Sequence, residues 1–125
     1  MNKTPVDTVR ISSRGKEILI QVKRKTGLEH WNEVSRIALC RSLANKAAPM
    51  LDQQSLDCGL EIDWRTFGGE YQDVLSALIL LRAHQDGIDV DSREELTAYF
   101  RAHLERGIQS LQNIRGAIEI VSSFL

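Results

Sequence analysis

The sequence predicts a mainly α-helical protein, a short N-terminal strand followed by a helical bundle whose start is like a ribbon-helix-helix module. Three observations point there: strict alternation over 8–12, two apolar stripes at helical spacing directly after it, and an apolar seam through the last third of the chain. In Thr8-Val9-Arg10-Ile11-Ser12 a period of two puts Val9 and Ile11 on one face and Thr8, Arg10 and Ser12 on the other. Ser12 or Ser13 then caps a helix over 13–26, with Ile18, Leu19 and Val22 facing inward and Gly27 as its stop. A second helix over 31–44 carries Val34, Ile37, Ala38, Leu39 and Leu43, a stripe broad enough to be largely buried.

Residues 45–68, with Pro49 and many polar side chains, read as a connector holding a short extended piece at Leu60–Trp64. Gly68-Gly69 precedes a third helix over 70–85, stopped by Gly87. Asp91-Ser92-Arg93-Glu94 has capping-box spacing and opens a C-terminal helical segment over 92–123. Its seam runs through Leu96, Phe100, Leu104, Ile108, Leu111, Ile114, Ile118, Val121 and Leu125. Uninterrupted, this helix would be about 48 Å long at roughly 1.5 Å per residue, against a diameter of about 30 to 35 Å for a compact domain of this size. It therefore either breaks near Gly107 or Gly116 or extends onto another chain. We expect the second, which makes Leu111, Ile114, Ile118, Val121 and Leu125 an oligomer interface.

A chain of 125 residues is one domain and can bury roughly two-thirds of its unfolded surface without metal or disulfide. The 2 cysteines make no framework, which suits a reducing compartment. The longest apolar run, Val74–Leu81 with Ser76 inside it, falls well short of the roughly 18 residues that span a bilayer, and the N-terminus lacks an apolar signal core. The expectation is a cytoplasmic protein without a membrane segment. A net charge of −1 hides a division: Met1–Ala48 holds 10 Lys or Arg against 4 acids, giving +6, while the remainder holds 6 Arg against 13 acids, giving −7. A basic half of this kind is the electrostatic footprint of a polyanion binder.

Lys16, Lys23, Arg24 and Lys25 suit backbone phosphates, since long flexible cations neutralise charge without base geometry. If the strand paired with that of a second chain, Thr8, Arg10 and Ser12 would be the face presented to a DNA groove. Gly68-Gly69-Glu70-Tyr71 is a structural turn, because Glu70 both satisfies a helix start and repels phosphate. Asp86, Asp89 and Asp91 lack the ligand order of a calcium loop, and His30, His84 and His103 lack paired-ligand spacing, so no metal is expected. Cys40, among apolar neighbours, reads as an inert core thiol, and Trp31 and Trp64 as core or interface anchors. No Walker A loop or other cofactor motif appears.

Thr26-Gly27-Leu28, Ser35-Arg36-Ile37-Ala38-Leu39-Cys40-Arg41-Ser42-Leu43, Gly69-Glu70-Tyr71 and Phe100-Arg101-Ala102-His103-Leu104-Glu105-Arg106-Gly107 occur in an order and spacing that resembles the DndE family of DNA sulfur-modification proteins. The likeness covers about Arg10 to Leu111. It implies a part in a bacterial system that replaces a non-bridging oxygen of the DNA backbone with sulfur. The implied role is a non-catalytic DNA-binding subunit of a larger modification complex that prefers nicked duplex and assembles as a homo-oligomer, dimer or tetramer. The family's basic residues at the end of the first helix fall on Lys23 and Lys25, with Arg24 an added cation, and similar chemistry falls on Arg10 and Arg14. The expected DNA contacts are thus Arg10, Arg14, Lys16, Lys23, Arg24 and Lys25. Two other readings stay open: a ribbon-helix-helix transcriptional repressor, and a Mg²⁺-dependent DNA nicking endonuclease using carboxylates of the acidic half.

Overall fold

Strand β1, Thr8–Ile11, pairs antiparallel with β2, Leu60–Asp63, in the register Thr8↔Asp63, Val9↔Ile62, Arg10↔Glu61 and Ile11↔Leu60. These belong to a computed structural model that describes residues 4–51 and 57–122. Val9 and Ile11 are fully buried and Thr8 and Arg10 face out, as the alternation requires. The ribbon that a ribbon-helix-helix protein builds from two chains is here built within one. Ser12 does not join the outward face. It is buried as the N-cap of α1, Ser13–Thr26, where its hydroxyl accepts from the Gly15 N–H at 3.0 Å.

Helix α1 ends because Gly27 takes a left-handed φ of 79° and its N–H returns to the Lys23 carbonyl at 3.0 Å. Helix α2, Trp31–Ala44, follows after a short turn. The stretch expected to be a connector holds β2 and a further helix, α3, Trp64–Gly68. Asp63 caps α3 by accepting from the Thr66 N–H at 2.7 Å, and the helix exists to deliver Trp64 and Phe67 to Phe100, with ring centroids 5.5 to 5.8 Å apart. A 3₁₀ turn at Gly69–Tyr71 leads into α4, Gln72–Gln85.

The C-terminal third is not one long helix. Helix α5, Arg93–Ser110, is about 27 Å long at 1.5 Å per residue, which the domain covers by itself. The chain then turns through 111–116 into α6, Ala117–Ser122. The turn folds Leu111, Ile114 and Ile120 back into the chain's own core, at 0%, 3% and 5% exposure, so these three seam positions are covered without a second subunit. Gly107 is not the break. It lies where α5 crosses α2, and a Cβ there would stand 1.8 Å from the Ala38 carbonyl oxygen, so the two backbones meet with no side chain between them.

A polar network closes the same pair of helices. Arg106 donates to the Ser42 carbonyl at 2.9 Å, the Ser42 hydroxyl at 2.8 Å and the Ala47 carbonyl at 2.8 Å. Arg82 donates to the Leu43 and Asn45 carbonyls at 2.9 and 2.6 Å and pairs with Asp86, which in turn accepts from the Tyr99 hydroxyl. The two arginines thereby satisfy the carbonyls left open at the end of α2. His103 is fully buried with Nδ1 2.7 Å from the Ser42 hydroxyl, and burial, reinforced by Arg106 and Arg82, pushes its pKa down to about 4.

The Gly107→Ala variant is expected to lose about 3 kcal/mol or more, because the clash is with backbone rather than a yielding side chain; the denaturant midpoint measures it. His103 gives a pH dependence of definite sign. Its folded pKa lies below the unfolded value near 6.5, so its contribution is complete above pH 6.5 and is lost as pH falls toward 4. Denaturation curves between pH 7 and about 5 should show this fall in the parent and not in His103→Gln, even if the variant is weaker throughout.

Candidate nucleic-acid interface

Helix α1 is held by its inner face, where Gly15, Ile18, Leu19 and Val22 are buried. Its start is fixed by Glu105 of α5, which accepts from the Ser12 N–H at 3.0 Å and the Ser12 hydroxyl at 2.7 Å. With about 100° between successive residues, Lys16 and Lys23 then fall on one flank, Arg14 and Lys25 on the other, and Arg24 on the outermost line. The six expected contacts are therefore not one cluster. Arg14 and Lys25 stand about 16 Å apart along the helix, a length over which one duplex strand exposes about five phosphates.

The two flanks differ electrostatically. Lys23 lies over the Trp31 ring, its Nζ 4.1 Å from the centroid, and lines a recess shared with Glu29, Glu61 and Asp63. That cation is held by an aromatic face and surrounded by carboxylates, the least suited of the six to meet phosphate. Arg24 and Lys25 are exposed and, with Lys16, have no acidic partner among the described residues. A Cβ on Gly116 would stand 3.7 Å from the Lys25 carbonyl oxygen, so the turn before α6 brings exposed Arg115 to the same end of α1. Arg115 gave no signal in the sequence because it sits in the acidic half.

Arg14 pairs with Glu17 at 3.3 Å, and Arg10 with Glu61 at 3.4 Å across the ribbon, all four side chains more than half exposed. Exposed pairs of this kind are worth about 0 to 1 kcal/mol, so either arginine can exchange its carboxylate for a phosphate. Arg10 belongs spatially with Arg93 and Arg101 of α5 rather than with the end of α1. Lys16 is half-buried on the Lys23 flank.

Of the expected interface, Leu111 and Ile114 are covered by their own chain, whereas Ile118 and Val121 are exposed at 83% and 56%, and Leu125 lies outside the described residues. A larger apolar surface lies on α4 and its entry turn, where Tyr71, Val74, Leu78 and Leu81 are all exposed. Tyr71, Val74 and Leu78 border a groove of about 650 Å³ that also takes in Leu28, Ile37 and Cys40. Burial raises the Cys40 thiol pKa against the opposing pull of Arg36, which disfavours the thiolate that sulfur transfer needs. Among the described residues, no group of three or more His, Cys, Asp or Glu is placed to hold a metal.

The model of a protein family described as DNA sulphur modification protein DndE matches residues 8–117. The chain belongs to the DndE family. Its fold is that of DndE from Escherichia coli B7A, a protein involved in DNA phosphorothioation modification, with a TM-score of 0.70 at 24% identity over 89% of this chain and 98% of that one. A mutant DndE involved in DNA phosphorothioation is similar too, with a TM-score of 0.65 at 22% identity over 87% of this chain and 99% of that one. No curated protein sequence matches. No helix among the described residues is long and apolar enough to cross a membrane.

Most residues that carry the DndE resemblance build the scaffold. Arg36 donates to the Phe67 carbonyl at 2.8 Å and lies against the Tyr71 ring, Ser42 meets His103 and Arg106, Glu105 fixes α1, and Gly107 permits the α2–α5 crossing. They fix where α1 sits, and so where its cations can reach.

Proposed function

We propose that this chain is a non-catalytic DNA-binding subunit of a DNA phosphorothioation system, holding duplex DNA through backbone phosphates. The observation that carries the reading is the unpaired cationic end of α1, Arg24 and Lys25 with Arg115 beside them, on a helix whose inner face and N-cap are locked to the core. Family membership supports the pathway, and the chemistry of flexible surface cations supports phosphate rather than base contacts. Nicked duplex bends at lower elastic cost than intact duplex, so a surface contacting phosphates over about 16 Å selects it without reading bases. The other subunits of the modification machinery would meet faces left clear of DNA. The repressor reading is disfavoured because β1 already pairs with β2 of its own chain.

We also propose that the chain self-associates through α4. Tyr71, Val74, Leu78 and Leu81 follow one another at intervals of three, four and three, the seam period of paired helices, and two copies of such a stripe cover each other. Assembly would multiply the few phosphate contacts each chain can make.

Four neutralised phosphates would give a slope of about −3.6 in log affinity against log salt, and the Arg24→Ala, Lys25→Ala double variant should lower its magnitude by about 2. Lys23→Ala should change the slope less. Equal affinity for scrambled duplexes with tighter binding to nicked ones is expected; an unchanged slope in the double variant would sink the assignment, and Mg²⁺-dependent cleavage would replace it by the nuclease reading. Leu78→Glu is expected to reduce the mass seen by light scattering to that of one chain while Ile118→Glu leaves it unchanged; the opposite result would return the interface to the C-terminal segment.

A further inference from the structure

We propose that the cleft between β1 and the first turns of α5 is a second phosphate site, taking a phosphate group through the guanidiniums of Arg10, Arg93 and Arg101. The cleft has a volume of about 450 Å³, and its lining includes those three arginines and the hydroxyl-bearing Thr8 and Thr97, with Asp7 its sole carboxylate among the described residues. Three positive charges against Asp7 in the lining and Glu61 at the rim leave the cleft with one positive charge in excess. Planar guanidinium forks bind phosphate oxygens bidentately, and a tetrahedral group presents oxygens to several forks at once where a planar carboxylate presents only two.

The arginines come from separate parts of the chain and are held individually. Arg101 is anchored by donating Nη2 to the Asp57 carbonyl at 2.8 Å, while its Nε is buried and makes no hydrogen bond. A guanidinium N–H buried without an acceptor is uncommon and calls for a partner. Arg93 donates to the Thr4 carbonyl and reaches Asp7 at 3.6 Å. Arg10 reaches Glu61 at 3.4 Å from the cleft rim. The two carboxylate contacts are on exposed side chains, so an arriving phosphate competes with weak pairs rather than with a buried bridge.

The shared chemistry is a phosphate with free non-bridging oxygens. An internal diester offers two oxygens and one charge, whereas a terminal monoester offers three and nearly two charges, the closer complement to three forks. The group can come from a phosphorylated strand end at a nick or from a soluble phosphate ester. The first source rests on the DNA-binding reading above and the second does not.

Arginine Nε–Hε signals followed by NMR during titration with inorganic phosphate test the site directly, with sodium chloride at matched ionic strength as the reference. The resonances of Arg10, Arg93 and Arg101 should move saturably. Arg93→Gln, at an exposed position, should weaken binding about tenfold, the scale of one charge-assisted contact. Arg101→Lys keeps the charge, loses the fork and should weaken it similarly, whereas the Arg24→Ala, Lys25→Ala variant should bind phosphate as the parent does. Shifts no larger than those with chloride, or shifts untouched by Arg93→Gln and Arg101→Lys, overturn the site. Nicked duplexes carrying 5′-phosphoryl or 5′-hydroxyl ends and a nucleoside 5′-monophosphate then separate the sources. A phosphoryl preference lost in Arg93→Gln assigns the strand end, and displacement of phosphate by the nucleotide without such a preference assigns the soluble ester. If neither ester competes with phosphate, the site is overturned.

Discussion

The close approach of α2 and α5 at Ala38 and Gly107 is the constraint on which the other placements depend. Backbone contact leaves no room for adjustment, so the relative position of α2 and α5 is fixed within the width of an atom. Everything that follows along α5 inherits that position. One turn before the crossing His103 meets Ser42, as does Arg106 next to it; two residues before it, Glu105 reaches Ser12. The crossing therefore sets the start of α1 through a single carboxylate, although α1 lies far from Glu105 in sequence. A shift of α5 would tilt α1 and redirect every cation along it.

This architecture explains why a polar network sits in so small a core. Buried polar groups cost stability unless paired, and here Arg82 and Arg106 are anchored by carbonyls that the end of α2 would otherwise leave open. The arrangement keeps two partly buried positive charges beside His103, which stays neutral because burial disfavours its charged form and the arginines repel it further. Burial and the neighbouring Asp86 likewise raise the Tyr99 pKa, so its hydroxyl remains a donor. The network is thus a set of fixed dipoles and charges rather than a group of residues poised to exchange protons.

Local elements were legible in the sequence because their signals are local. Alternation at Thr8–Ile11, the Ser12 cap, the Gly27 stop and the stripe of α2 each determine themselves within a few residues. The short helix at Trp64–Gly68 was hidden because five residues carry no period, and its stability comes from distant Phe100. The break before Gly116 was one of the two readings the seam allowed, but the sequence does not favour it, because Leu111 and Ile114 keep helical spacing while entering the core from a turn. Gly107, one of the two glycines at which the helix could break, is a contact residue, and only a three-dimensional neighbour distinguishes the two roles. The site divides in the same way. Charge at the end of α1 was visible as a run, but the company of Lys23, the nearness of Arg115 and the grouping of Arg10 with Arg93 and Arg101 all arise from long-range packing.

The split of charge along the sequence consequently does not become a split of faces. Glu61 of the acidic half lies across the ribbon from Arg10 of the basic half, Arg36 is committed to the Phe67 carbonyl, and the acidic half supplies Arg93, Arg101 and Arg115 to the surface. A count of lysines and arginines thus overstates what one chain offers to a polyanion. If the chain holds DNA as proposed, pairs such as Arg14–Glu17 exchange one weak partner for another when phosphate arrives, and the gain comes chiefly from release of ions condensed on the DNA. With few contacts per chain that gain is small and strongly salt-dependent, so useful affinity requires several chains on one duplex. On the proposed reading, self-association and phosphate binding are two parts of one requirement, since the weakness of each protomer's surface would make assembly necessary for tight binding.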